Sequence, residues 1–239
     1  RLQTPIFVML DLDIGMNHHL CRPLAWDDAR KYDRGKVMTA KELEAGKDFG
    51  RYLDVDGDGI PYRTYPGTHP SKGSFFTRGT SRDRYARYTE EGAPYVDNMQ
   101  RLIRKFDTAK DLVPRPLQAN ASKPTKYGVI YCGSTAPAMD EAIDMIEARG
   151  HALDRMRVRA FPFHSSVNSF VADHDFVFVV EQNRDAQLRS LIVNECGIDP
   201  VRLVPILHYD GTPITARFIA KAIGDHVDKL KVTPMKVKS

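Results

Sequence analysis

Three aspartates on alternate positions, Asp54, Asp56 and Asp58, followed by Gly59, have the spacing in this chain best suited to chemistry. Carboxylates so placed can converge on one hard cation, Ca or Mg, and the glycine permits the sharp turn that such a loop needs. The second half of a calcium loop does not follow. Its twelfth position is Tyr65 rather than a bidentate glutamate, and Pro61 interrupts its middle. The same aspartates also suit a turn in which their side chains bond the local backbone. Further on, Arg78, Arg82, Asp83, Arg84 and Arg87 follow Thr77 and Gly79. Guanidinium forks in such a cluster can hold a carboxylate or a diphosphate, whereas a solvated face with local ion pairs would contribute little. A third polar set, Glu181, Gln182, Asn183, Arg184, Asp185 and Gln187, comes after an apolar run. That is where a doubly wound sheet presents groups to ligands, although Asn183 also reads as an ordinary helix cap. His208, Tyr209, Asp210 and Gly211 follow the next strand as a turn, and His18 and His19 lack a further zinc ligand at suitable spacing.

The elements that must position these groups differ along the chain. Residues 53–81 show neither helical nor strand periodicity, yet they carry Ile60, Tyr62, Tyr65, Phe75 and Phe76. That apolar content offsets the cost of ordering, so the stretch is expected to be an ordered loop over a site or a partner. Residues 4–14 form an apolar run ending in Asp11 and Asp13 and predict a buried strand. A strand this near the first residue has no neighbours upstream, so the chain is expected to be a fragment of a longer polypeptide. Thr39 and Glu42 form a capping box for a short helix over 39–44. Val96, Met99, Leu102, Ile103, Phe106, Ala109 and Val113 predict one amphipathic helix over 94–113, ended by Pro114 and Pro116.

Residues 117–126 are polar, carry a proline and lack a period, which predicts a linker. Beyond them strands over 127–132, 156–161, 176–180 and 203–207 alternate with helices over 137–148, 166–172, 185–195 and 213–230. That order predicts an α/β fold with parallel pairing. The expected domains are 1–116, the linker 117–126, an α/β domain over 127–232 and a loosely ordered tail over 233–239.

Composition sets outer bounds. The chain has 239 residues, 42% of them apolar, enough for a real core. Its 35 basic and 31 acidic residues give a formal +4, too balanced to argue for a nucleic-acid surface. Three scattered cysteines, Cys21, Cys132 and Cys196, fit a reduced cytoplasmic compartment. No apolar run approaches the roughly 20 residues that span a bilayer, so no membrane partner is expected. Nucleophile elbows, phosphate-binding glycine loops and dinucleotide fingerprints are absent from the sequence.

The wording of several segments is more specific than these patterns. FVMLDLDIGMN, YDRGKV, GRYLDVDGDGIPYRTYPGTHPSKGSFFTRGTS, YGVIYCGS, VFVVEQNRDAQLRSLIVNECG and LHYDGTPITARFI resemble the alpha subunit of bacterial 2-oxoacid:ferredoxin oxidoreductases, particularly the 2-oxoglutarate type. The resemblance runs from about Pro5 to Ile219. It implies the end of a thiamine-diphosphate pyrimidine-binding domain, the long loop and helix, and a domain similar to the carboxy-terminal domain of transketolase. It implies oxidative decarboxylation of a 2-oxoacid with coenzyme A (CoA), giving an acyl-CoA, carbon dioxide and reduced ferredoxin. Thiamine diphosphate, Mg and a 4Fe-4S cluster would be held mainly by a beta subunit, and the assembly would be an alpha–beta dimer of dimers that meets ferredoxin. In that setting Thr77, Arg78, Gly79 and Asp83 are an accessory active-site loop with no catalytic residue. Glu181, Gln182, Asn183, Arg184 and Gln187 are the expected face for the beta subunit. The competing expectations are a stand-alone cation-binding α/β interaction module at Asp54, Asp56 and Asp58, and a small-molecule-binding α/β domain.

Overall fold

The computed structural model describes residues 1–232, so the expected tail over 233–239 lies outside the described residues. The chain forms two compact units, one of Arg1–Phe7 with Cys21–Leu112, the other of Val8–Leu20 with the chain from Val113 onward.

The run expected as a buried strand is irregular and exposed. Ile6, Phe7, Val8, Met9 and Leu10 are each at least two-thirds accessible, and a short helix α1 (Leu12–Met16) follows. A strand that is apolar on both sides needs pairing on its edges and cover on its faces. None of the described strands pairs with this run.

In the first unit, regular structure is limited to α2 (Ala40–Glu44) and α3 (Gly92–Ala109). Helix α2 begins as its sequence predicts, with Thr39 Oγ1 accepting from the Glu42 amide and Glu42 accepting from the Thr39 amide. Around these helices the loop is cross-tied by single bridges, Val37 to Arg63 and Arg82 to Tyr88. Its small core holds Met38, Leu43 and Ile60. Helix α3 departs from the amphipathic expectation. Its buried residues are Arg101, Lys105 and Ala109, while Val96, Ile103 and Phe106 are more than half exposed. Gly59 explains how closely this helix lies on the loop: a Cβ there would come within 2.3 Å of the Lys105 amide nitrogen, and its φ is +75°. Only glycine serves both demands.

The second unit is a five-stranded sheet in the order β1-β3-β2-β4-β5. Its strands are β1 (Leu117–Ala119), β2 (Tyr127–Tyr131), β3 (Asp154–Arg157), β4 (Phe176–Glu181) and β5 (Leu203–Leu207). All neighbours pair in parallel except the edge strand β1, which runs antiparallel to β3. Part of the stretch expected as a linker is thus a strand, because an edge strand of three residues is held by backbone hydrogen bonds and is too short to show a side-chain period. Helices α4 (Ala136–Ala148), α5 (Ser166–Ala172), α6 (Gln187–Cys196) and α7 (Ala216–Val232) close both faces. Along β4, Phe178 and Val180 join the cluster under α4 and α7, and Val177 and Val179 join the one under α5 and α6. All four are fully buried, as a central strand covered on both faces requires.

Candidate functional site

Asp54, Asp56 and Asp58 do converge, with one oxygen from each within 4.8 Å of the others. A side-chain ammonium already sits among them. Lys36 Nζ donates to Asp56 Oδ1 at 2.6 Å, to Asp58 Oδ1 at 2.7 Å and to the Ile60 carbonyl at 2.9 Å, which engages all three of its protons. Arg104 Nε donates to Asp54 Oδ2 at 2.9 Å. The turn itself is fixed locally, by Asp54 Oδ1 accepting from the Gly57 amide and Asp58 Oδ1 from the Ile60 amide. Burial alone would lower the Lys36 pKa, but the hydrogen bonds and charges of Asp56 and Asp58 outweigh it and hold the ammonium above its ordinary value. In return the Lys36 hydrogen bond holds Asp56 below the usual carboxylate range. A divalent ion would have to displace Lys36, a partner that spacing cannot reveal because Lys36 lies outside the aspartate run.

The same loop and the Gln3 segment pack onto α3 through polar contacts. Arg101 Nη1 donates to the Gly59 carbonyl at 3.1 Å, Thr108 Oγ1 to the Asp58 carbonyl at 2.7 Å, and Lys105 Nζ to the Gln3 carbonyl at 3.1 Å. Burial, with Arg101 and Arg51 close by, pulls the Lys105 pKa down to about 8. Residues 64–75 surround a cavity of about 270 Å³ whose lining includes Tyr65, Thr68, His69, Lys72 and Phe75. There His69 Nδ1 accepts from the amides of Ser71 and Lys72, which leaves the imidazole proton on Nε2.

The arginine cluster is divided among separate partners. Arg84 pairs with Asp97 at 3.1 Å, Arg82 lies against the rings of Phe76 and Tyr88, and Arg87 lies against Tyr85. Asp83 Oδ1 accepts from the amides of Tyr85 at 2.9 Å and Arg87 at 2.8 Å, and so ties a turn in which Ala86 has a φ of 65°. Thr77, Arg78 and Gly79 are exposed, and among the described residues the side chains of Thr77 and Arg78 have no partner.

At the carboxyl edge of the sheet the polar set is mostly engaged within the unit. Glu181 is 2% exposed, and its carboxylate accepts from the amides of Leu188 at 2.8 Å and Arg189 at 3.2 Å and from the Asn183 side chain. It caps α6, a role that sequence reading assigned to Asn183. Asn183 Oδ1 shares the task by accepting from the amides of Asp185 and Gln187. Gln182 Nε2 donates to Ser134 Oγ at 2.7 Å, and Ser134 donates through its amide and its hydroxyl to Asp11 Oδ2. Asp11 thus meets polar groups at the strand ends, although the run expected as a strand around it forms none. Burial, reinforced by Glu181 and Asp11, pushes the Cys132 thiol up, so it is poorly placed to act as a thiolate. Arg184 pairs with Asp185 in solvent, and with Gln187 they are the members of the set whose side chains face outward.

Neither the acidic cluster nor the cysteines fit the cofactors that the sequence resemblance implies. The cluster is neutralised by Lys36 and Arg104, and Cys21, Cys132 and Cys196 form no disulfide and no metal-ligand group among the described residues. Among the described residues no helix is long and apolar enough to cross a membrane.

No protein-family model matches the chain, and no curated protein matches it. Solved structures do. A 2-oxoglutarate:ferredoxin oxidoreductase from Magnetococcus marinus, solved with 2-oxoglutarate, coenzyme A and succinyl-CoA bound, superposes with a TM-score of 0.66 at 20% identity, over 76% of this chain. This chain spans 31% of that oxidoreductase chain. A split-gene transketolase, in an inactive beta4 tetramer, gives a TM-score of 0.39 at 19% identity, over 48% of this chain and 41% of its own. The alpha chain of a probable 2-oxoacid ferredoxin oxidoreductase from Thermoplasma acidophilum gives 0.33 at 22% identity, over 48% of this chain and 97% of its own. The first likeness, at its level of identity, establishes a shared fold, and this chain carries the mixed α/β fold with a mostly parallel sheet found in part of that oxidoreductase.

Proposed function

We propose that this chain is the alpha-subunit portion of a 2-oxoacid:ferredoxin oxidoreductase, with 2-oxoglutarate as the substrate. The observation that carries the reading is the fold shared with the Magnetococcus enzyme over 76% of the chain. The motifs from about Pro5 to Ile219 support it independently. The reaction consumes a 2-oxoacid, CoA and two oxidised ferredoxins, and yields the acyl-CoA, carbon dioxide, two reduced ferredoxins and a proton. For 2-oxoglutarate the acyl product is succinyl-CoA. Thiamine diphosphate supplies the carbanion chemistry when bound. The diphosphate, Mg and the 4Fe-4S cluster fall to a beta subunit in this reading, since this chain's acidic cluster and cysteines are unsuited to them.

What this chain contributes is placement. Lys36, Arg104 and the aspartates hold the loop on α3, and Asp83 holds the turn after Thr77, Arg78 and Gly79. The Arg78 guanidinium is then free to meet an anionic 2-oxoacid. Arg184 and Gln187 offer the exposed part of the face toward a beta subunit, with Gln182, Asn183 and the buried Glu181 shaping it from beneath. The stand-alone cation module receives no support, because Lys36 fills the acidic cluster.

The test is native purification with whatever subunits accompany the chain, followed by CoA-dependent reduction of ferredoxin. Turnover with 2-oxoglutarate above that with pyruvate is expected, together with loss of at least half the rate in Arg78→Ala at unchanged melting temperature. A native assembly that is fully loaded with thiamine diphosphate yet inactive on every 2-oxoacid would overturn the reading.

A further inference from the structure

The loop closes on itself around the cavity of about 270 Å³ lined by residues 64–75. Thr64 Oγ1 donates to the Gly73 carbonyl at 2.6 Å. Gly73 has a φ of +74°, and a Cβ there would stand 2.9 Å from the side chains of Leu43 and Thr64, so the chain can return at this point only through glycine. The cavity is held by the loop's own bonds and is formed before any ligand arrives. His69 lines it with a side chain 9% exposed. Its Nδ1 accepts from the amides of Ser71 at 3.1 Å and Lys72 at 3.0 Å. Its Nε2 proton meets no hydrogen-bond acceptor among the described residues, and Glu44 Oε1, on a side chain 68% exposed, stands 3.9 Å away. A donor sheltered from water and left without an acceptor costs free energy until a ligand supplies one.

Further donors share the lining. Lys72 Nζ gives one proton to the Leu43 carbonyl at 3.2 Å and keeps two. Thr68 Oγ1 accepts from the Tyr65 amide at 3.1 Å, which leaves its hydroxyl proton. Tyr65 and Phe75 add ring walls, and the Arg51 guanidinium lies 5.5 Å from the Phe75 ring with no ion pair or hydrogen bond among the described residues. No carboxylate is among the lining side chains. We propose that this cavity binds a small phosphate monoester, with His69 Nε2 and Lys72 Nζ donating to the phosphate oxygens and the rings of Tyr65 and Phe75 holding its body. Separate point donors suit a tetrahedral oxyanion, whereas a planar carboxylate is best met by a guanidinium fork. The volume lies just under the about 300–1,000 Å³ of small-molecule sites, which suits a phosphate on a body the size of one ring and is too small for a whole nucleotide.

Isothermal titration of the full chain with phenyl phosphate tests this, with saturable binding and a Kd below about 1 mM expected. His69→Asn keeps an acceptor where Nδ1 stands and removes the Nε2 donor, so the melting temperature should hold while affinity falls at least ~10-fold. Lys72→Met should weaken binding by a similar factor. Glu44→Gln removes the carboxylate beside Nε2 and should tighten binding about 3-fold, a gain that misfolding cannot produce. Inorganic phosphate, which has no body for the rings, should bind at least ~3-fold more weakly than phenyl phosphate. No binding of phenyl phosphate, benzoate or inorganic phosphate bound as tightly as phenyl phosphate, a folded His69→Asn that binds like the parent, or a Glu44→Gln with unchanged affinity would each overturn the proposal. None of these readouts uses enzyme activity, so failure here is separate from failure of the proposed reaction.

Discussion

The two units solve the problem of holding a chain together in opposite ways. The sheet unit buries continuous apolar runs, with Val177, Phe178, Val179 and Val180 all fully inaccessible on two faces of one strand. The loop unit turns polar groups inward, and its one long helix reaches the loop through Arg101 and Thr108 and the Gln3 carbonyl through Lys105. Hydrophobic burial is non-directional and additive with area, whereas each hydrogen bond or ion pair contributes about 1 kcal/mol and depends on geometry, salt and pH. The first design gives a stable platform. The second gives a loop that is fixed in shape but responsive to its surroundings.

The contrast can be broken most severely in the sheet. Phe178→Ala should cost about 3–5 kcal/mol, since the ring is fully buried between β4 and the helices of one face. Chemical denaturation checks this, and a loss below about 1 kcal/mol would deny the sheet its packed core. Next in size is Lys36→Met, which leaves Asp56 and Asp58 without their shared cation. A loss of about 2 kcal/mol is expected, less than for a fully buried pair because both carboxylates are partly exposed. Millimolar calcium should recover part of that loss in the variant and leave the parent's melting temperature unchanged.

The smallest effect is a pH dependence of unusual sign. Lys105 releases its proton at about 8 when folded and at its ordinary 10.5 when unfolded. Between these values the unfolded chain binds more protons, so stability rises as pH goes from about 8 to about 10.5, and the cost of burying the ammonium is fully present below about 8. Lys36, held above its ordinary value, acts in the opposite sense: its contribution is present below 10.5 and is lost above its folded pKa. Lys105→Met should therefore stabilise the chain by about 1 kcal/mol at neutral pH and flatten the rise, a fraction of what the shift alone implies because the methionine also gives up the hydrogen bond to the Gln3 carbonyl. Melting temperatures from pH 7 to pH 10 measure both.

The sequence spelled out the sheet unit more fully than the loop unit, and the reason is physical. Strands such as 176–180 and helices such as 166–172 carry their burial in their own periodicity, so the elements are readable with ends within four residues, the widest miss being the strand expected over 156–161 and found at Asp154–Arg157. The capping box at Thr39 and Glu42 was readable for the same reason, being a purely local interaction. The apolar run at 5–10 and the stripe on α3 carry equally clear patterns, but pattern alone cannot say whether the described residues supply the surface that covers them. The partners of the candidate site escaped detection because they come from afar: Lys36 reaches Asp58, Arg104 reaches Asp54, and Asp11 reaches Ser134. Buried Glu181 reads as outward-facing because polar residues after a strand usually meet solvent, whereas here α6 needs an acceptor for its first amides.

Site-resolved hydrogen exchange compares the two units directly. Amides of Val129, Ile130 and Val177 to Val180 should exchange only through global unfolding, while those of residues 52–88 exchange at least ~100-fold faster and faster still in high salt, as polar ties weaken. Equal protection in both units, unaffected by salt, would contradict the account.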